Sequence, residues 1–195
     1  MLLLFIVSCA QAQPRQLKGR PCEGCEAVFE YGHKKLRPVD TLPNFNRPGP
    51  KLKVTGRIFQ CDGHTPAANV ILYIYHTNQA GLYARKGNEQ GWGKRHGELR
   101  GWIKTDAGGR YTFFTLQPGT YPSRSEPAHI HATVAETNGK YYYLEEWHFK
   151  GDPLLYKIGK RTLHGGEGIV TLQKQGDLLV AQRDIILGLN IEDYD

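Results

Sequence analysis

Leu99-Arg100-Gly101-Trp102-Ile103-Lys104-Thr105-Asp106-Ala107-Gly108-Gly109-Arg110-Tyr111-Thr112-Phe113-Phe114-Thr115 sets two runs of aromatic and β-branched residues on either side of an Asp-Ala-Gly-Gly turn. Aromatic and β-branched side chains fit a pleated, half-buried surface, while Asp and Gly supply the backbone reversal. The stretch therefore reads as a strand over 99–105, a tight turn, and a strand over 110–115. The same grammar recurs outward, with strands expected at 52–59, 69–76, 129–136, 141–149, 169–173 and 178–186. Asp62-Gly63 and Asn138-Gly139 mark further turns. With about eight short strands at this spacing and no long helical periodicity, the fold class is all-β, a single-domain β-sandwich over residues 51–195.

Two segments break the pattern. Residues 13–50 are rich in Pro, Gly and charge and end in Arg47-Pro48-Gly49-Pro50, which predicts an irregular N-terminal arm wrapped on the domain. Residues 77–98 form a long, Gly-rich loop carrying Tyr83 and Trp92, and loops of that length inside a compact domain are usually functional. The chain has 195 residues, 39% hydrophobic and 23% charged, which excludes a disordered chain and a polytopic membrane protein. Its net charge is +6, but Lys and Arg are scattered, with short clusters at 15–20, 33–37 and 157–161. No nucleic-acid motif accompanies them, so a solvated basic surface is expected, with no nucleic-acid partner.

Residues 1–12 read Met-Leu-Leu-Leu-Phe-Ile-Val-Ser-Cys-Ala-Gln-Ala, an apolar run followed by small residues, as at the end of a secretory signal. Ile6-Val7-Ser8-Cys9 has the form of a bacterial lipobox, which would place a lipid anchor on Cys9. Ala10-Gln11-Ala12 fits ordinary signal cleavage instead. Either way the expectation is export: periplasmic, outer-membrane-anchored as a lipoprotein, or secreted. In an oxidising compartment two of Cys22, Cys25 and Cys61 are expected to form a disulfide, the pairing left open by the sequence.

The sharpest chemical feature is Glu126-Pro127-Ala128-His129-Ile130-His131. On a strand, residues two apart share a face, so His129 and His131 present adjacent imidazoles with Ile130 turned away. Imidazole suits iron, zinc and copper alike. Just upstream, Pro118-Gly119-Thr120-Tyr121-Pro122 holds a Tyr whose backbone the following proline keeps extended. A phenol ionises near pH 10, so Tyr ligation requires a strongly acidic cation. His96 and His148 are the remaining histidines within reach of a pocket shaped by the 77–98 loop.

The order of motifs is that of a known family. Val54-Thr55-Gly56-Arg57, Pro66-Ala67-Ala68-Asn69-Val70, Ala80-Gly81-Leu82-Tyr83, Leu99 to Asp106, Gly109-Arg110-Tyr111-Thr112-Phe113, Pro118 to Pro122, Pro127 to His131 and Phe149-Lys150-Gly151-Asp152-Pro153 follow one another as they do there. The chain resembles the intradiol ring-cleaving dioxygenases, the catechol and protocatechuate dioxygenases, over residues 53–153. The resemblance implies one Fe(III) ion held by Tyr83, Tyr121, His129 and His131 with a solvent hydroxide, Tyr121 and His131 axial, Tyr83 and His129 equatorial. It further implies that a small aromatic diol displaces the hydroxide and Tyr121, and that O2 cleaves the ring to a muconate-type dicarboxylic acid.

Two positions depart from the family pattern. An Arg is common three residues before the first His, and here that position is Glu126. A Gln is common in the segment before Phe149, and here it is Glu146. Both changes add negative charge beside an anionic substrate. Arg124 is the candidate for the missing cation, so Tyr121, Arg124, Glu126 and Glu146 are the expected catalytic set. The competing readings are an exported β-sandwich binding module that keeps the metal without turnover, and a copper or zinc enzyme on the same imidazoles.

Overall fold

The computed structural model describes residues 14–195, so the leader and Cys9 lie outside the described residues. Thirteen strands follow in order: β1 Gln16–Leu17, β2 Val39–Thr41, β3 Lys51–Phe59, β4 Ile71–Tyr75, β5 Arg100–Lys104, β6 Arg110–Leu116, β7 His129–Ala135, β8 Lys140–Tyr143, β9 Trp147–Phe149, β10 Ile169–Val170, β11 Gln173–Gln175, β12 Leu178–Gln182 and β13 Ile185–Ile186. One sheet runs β1-β8-β7-β4-β5, with β9 added to β7 and β10 to β9. The other runs β11-β12-β3-β6-β2, with β13 added to β3. The fold is the all-β sandwich that the sequence predicts. Among the described residues, no helix is long and apolar enough to cross a membrane.

Alternation puts the core between the sheets. Along β3, Leu52, Val54 and Ile58 are fully buried beside Tyr111 and Phe113 of the neighbouring β6, and face Leu72 and Ile74 of β4 and Ile130, Ala132 and Val134 of β7. The opposite face of the first sheet is also buried. There Tyr73, Trp102, Ala135 and Tyr141 form a second cluster with Cys25, Ala27 and Val28 of a short 3-10 turn, Cys25–Phe29. Trp102 Nε1 donates to the Ala27 carbonyl at 2.9 Å, satisfying the one polar atom of a ring packed beneath the turn.

The structure departs from the expected strand boundaries at several places, among them the division of 178–186 into β12 and β13. The arm is not wholly irregular: β1 pairs with β8 and β2 with β6, because open strand edges recruit extended backbone. The stretch 141–149 splits into β8 and β9, since Glu145 N–H turns away to the His164 carbonyl. The stretch 169–173 also divides, β10 joining the first sheet and β11 the second. The disulfide is Cys22–Cys25, leaving Cys61 exposed as a free thiol.

Candidate metal centre

β7 opens on His129, and its alternation turns His129 and His131 away from the face that buries Ile130. His129 Nδ1 lies 2.8 Å from the Pro127 carbonyl and His131 Nδ1 lies 2.8 Å from Glu146 Oε1. A carbonyl and a carboxylate only accept, so in both rings Nδ1 carries the proton and Nε2 offers its lone pair. The two Nε2 atoms face each other at 3.1 Å.

Two loops bring phenols to the same point. Asn78 organises both: its side-chain oxygen accepts from the N–H groups of Ala80 and Leu82, and its carbonyl from those of Gly81 and Gly119. Gly81 sits at φ +75°, and a Cβ there would lie 1.9 Å from the Thr120 carbonyl oxygen. A Cβ on Gly119 would lie 2.2 Å from the Gln79 carbonyl oxygen. Only glycine lets these backbones touch. Tyr83 and Tyr121 are thereby held with their hydroxyls 2.7 Å apart. Tyr83 Oη is 2.8 Å from His131 Nε2, and Tyr121 Oη is 3.2 Å from His129 Nε2 and 3.5 Å from His131 Nε2.

Four donors at such separations surround a point about 2 Å from each, the bond length of first-row metal ions to nitrogen and oxygen. His129, His131 and Glu146 form a second conceivable donor set. Glu146 faces Nδ1 of His131, however, on the far side of the ring from the tyrosines, so it supports the ligand rather than sharing an ion at Nε2. The phenols set a condition on the ion. Burial pushes the Tyr83 hydroxyl well above its ordinary value, with Tyr121 adding to the effect. Burial also raises Tyr121, opposed by its hydrogen bond to Tyr83 and reinforced by the charges of Glu126 and Glu146. Both become ligands only for a cation acidic enough to draw off their protons.

The family model described as Dioxygenase matches residues 30–161, more than half of the chain. The chain belongs to the intradiol ring-cleaving dioxygenase family. It is 32% identical over 140 residues to the protocatechuate 3,4-dioxygenase beta chain of Burkholderia cepacia, covering 64% of this chain and 58% of that protein. It is 28% identical over 186 residues to catechol 1,2-dioxygenase 2 of Acinetobacter lwoffii, covering 87% and 62%. The chain thus spans about three fifths of the length of these relatives. Among solved structures, the dioxygenase domain of a dioxygenase carbohydrate-binding protein fusion from Streptomyces sp. SirexAA-E shares the fold, with TM-score 0.62, 22% identity, and coverage of 91% of this chain and 98% of that one.

Around this four-residue cluster the remaining candidates separate. Glu146 is mostly buried, and although burial alone would raise its carboxyl, the hydrogen bond and charge of His131, with His129 and Tyr143, hold it down at about 2. Glu126 is more than half exposed, its carboxylate 3.9 Å from His129 Nε2. Arg124 lies in an exposed turn at φ +52°, its carbonyl accepting from Lys157 Nζ, and it lines neither cavity at the cluster. The cation lining the smaller cavity is Arg95, in the short helix α1, Gly93–His96, paired with Glu23 of the arm, while Lys160 and Arg161 line the larger one. Nothing in the sequence marked Arg95, because its proximity depends on how the 77–98 loop folds back.

Tyr83, Tyr121 and His131 line a cavity of 290 Å³. It shares Tyr75, His131 and Glu23 with a larger one of 520 Å³ that runs beneath the arm past Glu146, Tyr143 and Lys160. His131 is backed by a column of rings: Tyr75 stacks on it at 4.4 Å, His96 on Tyr75 at 3.7 Å, and Trp92 on His96 at 5.5 Å. Burial lowers His96 to about 4, and its Nδ1 meets the Tyr73 hydroxyl at 2.8 Å. His148 Nε2 lies 3.4 Å from the second oxygen of Glu146. Both histidines outside the donor set therefore buttress it.

Proposed function

We propose that the protein is an Fe(III)-dependent intradiol dioxygenase that cleaves a catechol-type ring with O2 to a muconate-type dicarboxylic acid. The observation that carries this reading is the convergence of Tyr83, Tyr121, His129 and His131 with both imidazole Nε2 lone pairs directed inward. Intradiol dioxygenases are non-haem iron enzymes, and two phenols favour a hard trivalent ion over copper or zinc. Bound there, ferric iron would supply the Lewis acidity that ionises a diol and makes its ring reactive toward O2.

The chain's own residues would bind, orient and move protons. The two cavities share Glu23, Tyr75 and His131 and together have the size of small-molecule sites, enough for a substituted aromatic ring. Tyr121, whose phenol oxygen stands at the cavity wall with the longer contacts to the imidazoles, would, once deprotonated as a ligand, accept a proton from a substrate hydroxyl and swing aside. Arg95 and Lys160 set positive charge along the same walls, facing an anionic diol. Export, with a lipid anchor at Cys9 or ordinary cleavage, belongs to this proposal and is supported by the Cys22–Cys25 disulfide.

The test is spectroscopic and then catalytic. Ferric protein is expected to be burgundy-red from tyrosinate-to-iron charge transfer, to change colour with catechol, and to consume O2 with a panel of aromatic diols. A colourless preparation, inactive after ferric reconstitution, would overturn the reading. Colour without oxygen uptake on any diol would turn it toward a metal-binding module.

A further inference from the structure

His129 and His131 are chemically alike but differently supported. His129 Nδ1 donates to the neutral Pro127 carbonyl at 2.8 Å. His131 Nδ1 donates, at the same 2.8 Å, to the carboxylate of Glu146. Glu146 is itself held: its second oxygen faces His148 Nε2 at 3.4 Å, and Tyr143 lines the same cavity wall. The carboxylate is four-fifths shielded from solvent and His131 more so, so their interaction is only weakly screened by water.

A carboxylate behind a ligating histidine fixes ring orientation and tautomer and makes the outward nitrogen a stronger donor. The charge acts along the ring, from Oε1 through Nδ1–H to Nε2. We propose that Glu146 is a positioning and tuning residue for His131, giving that imidazole the more anionic character of the two and biasing the centre toward a trivalent over a divalent ion. This rests on the ferric reading above and adds a role for a residue that touches no reacting atom. It also explains how a carboxylate can stand beside an anionic substrate site: its charge is engaged with the histidine on the side away from the tyrosines.

Glu146→Gln is the decisive variant, because it keeps size and a hydrogen-bond acceptor while removing charge. Its Fe(III) affinity, measured by chelator competition, should fall about 10- to 100-fold, with a smaller change for Fe(II). The reduction potential of the loaded protein should rise, and the tyrosinate band should move to longer wavelength. Tyr143→Phe, which removes a neutral neighbour of the same carboxylate, should shift neither appreciably. In wild-type protein loaded with diamagnetic Ga(III), the His131 Nδ1 proton should resonate further downfield than that of His129, a measurement that needs no variant to fold. An unchanged potential and band in Glu146→Gln, an equal shift in Tyr143→Phe, or equal proton shifts for the two rings would overturn the inference. If wild-type protein takes up ferric iron with the expected colour and those results follow, this inference alone fails; if it takes up none, the ferric reading fails with it.

Discussion

The two faces of β7 show how this sandwich divides its labour. On the inner face Ile130, Ala132 and Val134 are completely buried against Ile74 and the second sheet. These side chains carry no polar atoms, so burial alone stabilises them. On the outer face His129 and His131 are followed by Thr133, beside Tyr73, Tyr75 and Trp102, beneath an arm rather than a sheet. Nearly every group there brings a nitrogen or oxygen that needs a partner: Trp102 finds Ala27, Tyr73 finds His96, and His131 finds Glu146. One strand thus serves a cohesive face and a chemical face.

That division is breakable by single substitutions. His131→Ala should abolish ferric colour and ring cleavage while lowering the metal-free chain's urea midpoint less than Ile130→Ala does, its cost being the unpaired Glu146 carboxylate. Ile130→Ala, one residue away, should cost about 2–5 kcal/mol of unfolding free energy, with the colour retained below its own midpoint. Equal loss of colour and stability in both variants would end the comparison. Gly81→Ala should also abolish the colour, with a stability cost of its own: at φ +75° its Cβ would strike the Thr120 carbonyl and separate Tyr83 from Tyr121.

His76 stands at the seam, fully buried, with Nδ1 donating to the Thr77 carbonyl and Nε2 accepting from the Thr115 hydroxyl, both at 2.7 Å. Burial lowers it from an ordinary value near 6.5 to about 4. Between those values the unfolded chain binds a proton that the folded chain refuses, so stability is complete above pH 6.5 and falls as the pH drops toward 4. The loss from this one group should be about 3 kcal/mol. Urea titrations at stepped pH should show it, and His76→Gln should flatten the slope over that window.

The cohesive face was legible in the sequence because alternation has one physical cause, burial on one side of a pleat. The strand over 52–59 and the shared face of His129 and His131 follow from it, the turn at 106–109 follows from its Asp and Gly residues, and the structure places them so. The chemical face was legible only where a motif marked it. Edge strands of two or three residues, such as β1 and β2, carry no side-chain pattern; backbone hydrogen bonds to Gly139 and from Thr112 define them. Arg95 reaches the cavity, and His96 stacks behind His131 through Tyr75, only because the 77–98 loop closes over the sheet. Glu146 stood out as a departure, yet its partner was hidden, since pairing across from β7 depends on the break between β8 and β9.

The arm that covers the chemical face gives the mildest test. Cys22 and Cys25 are bridged across three residue positions, so the closed loop is short and its constraint on the unfolded chain contributes about 2 kcal/mol or less. Its local effect should be more informative than its global one. Cys25 is fully buried beside Thr133, whereas Cys22 lines the larger cavity, so the bridge ties the cavity wall to the second cluster. A Cys22→Ser, Cys25→Ser protein should lose amide-exchange protection through the 22–31 segment while β7 and β3 remain protected at wild-type levels. Loss of protection in β7 as well would mean that the arm holds the sheet together and not merely its outer surface. The two faces would then form one cooperative unit, and a substitution on either would be felt on both.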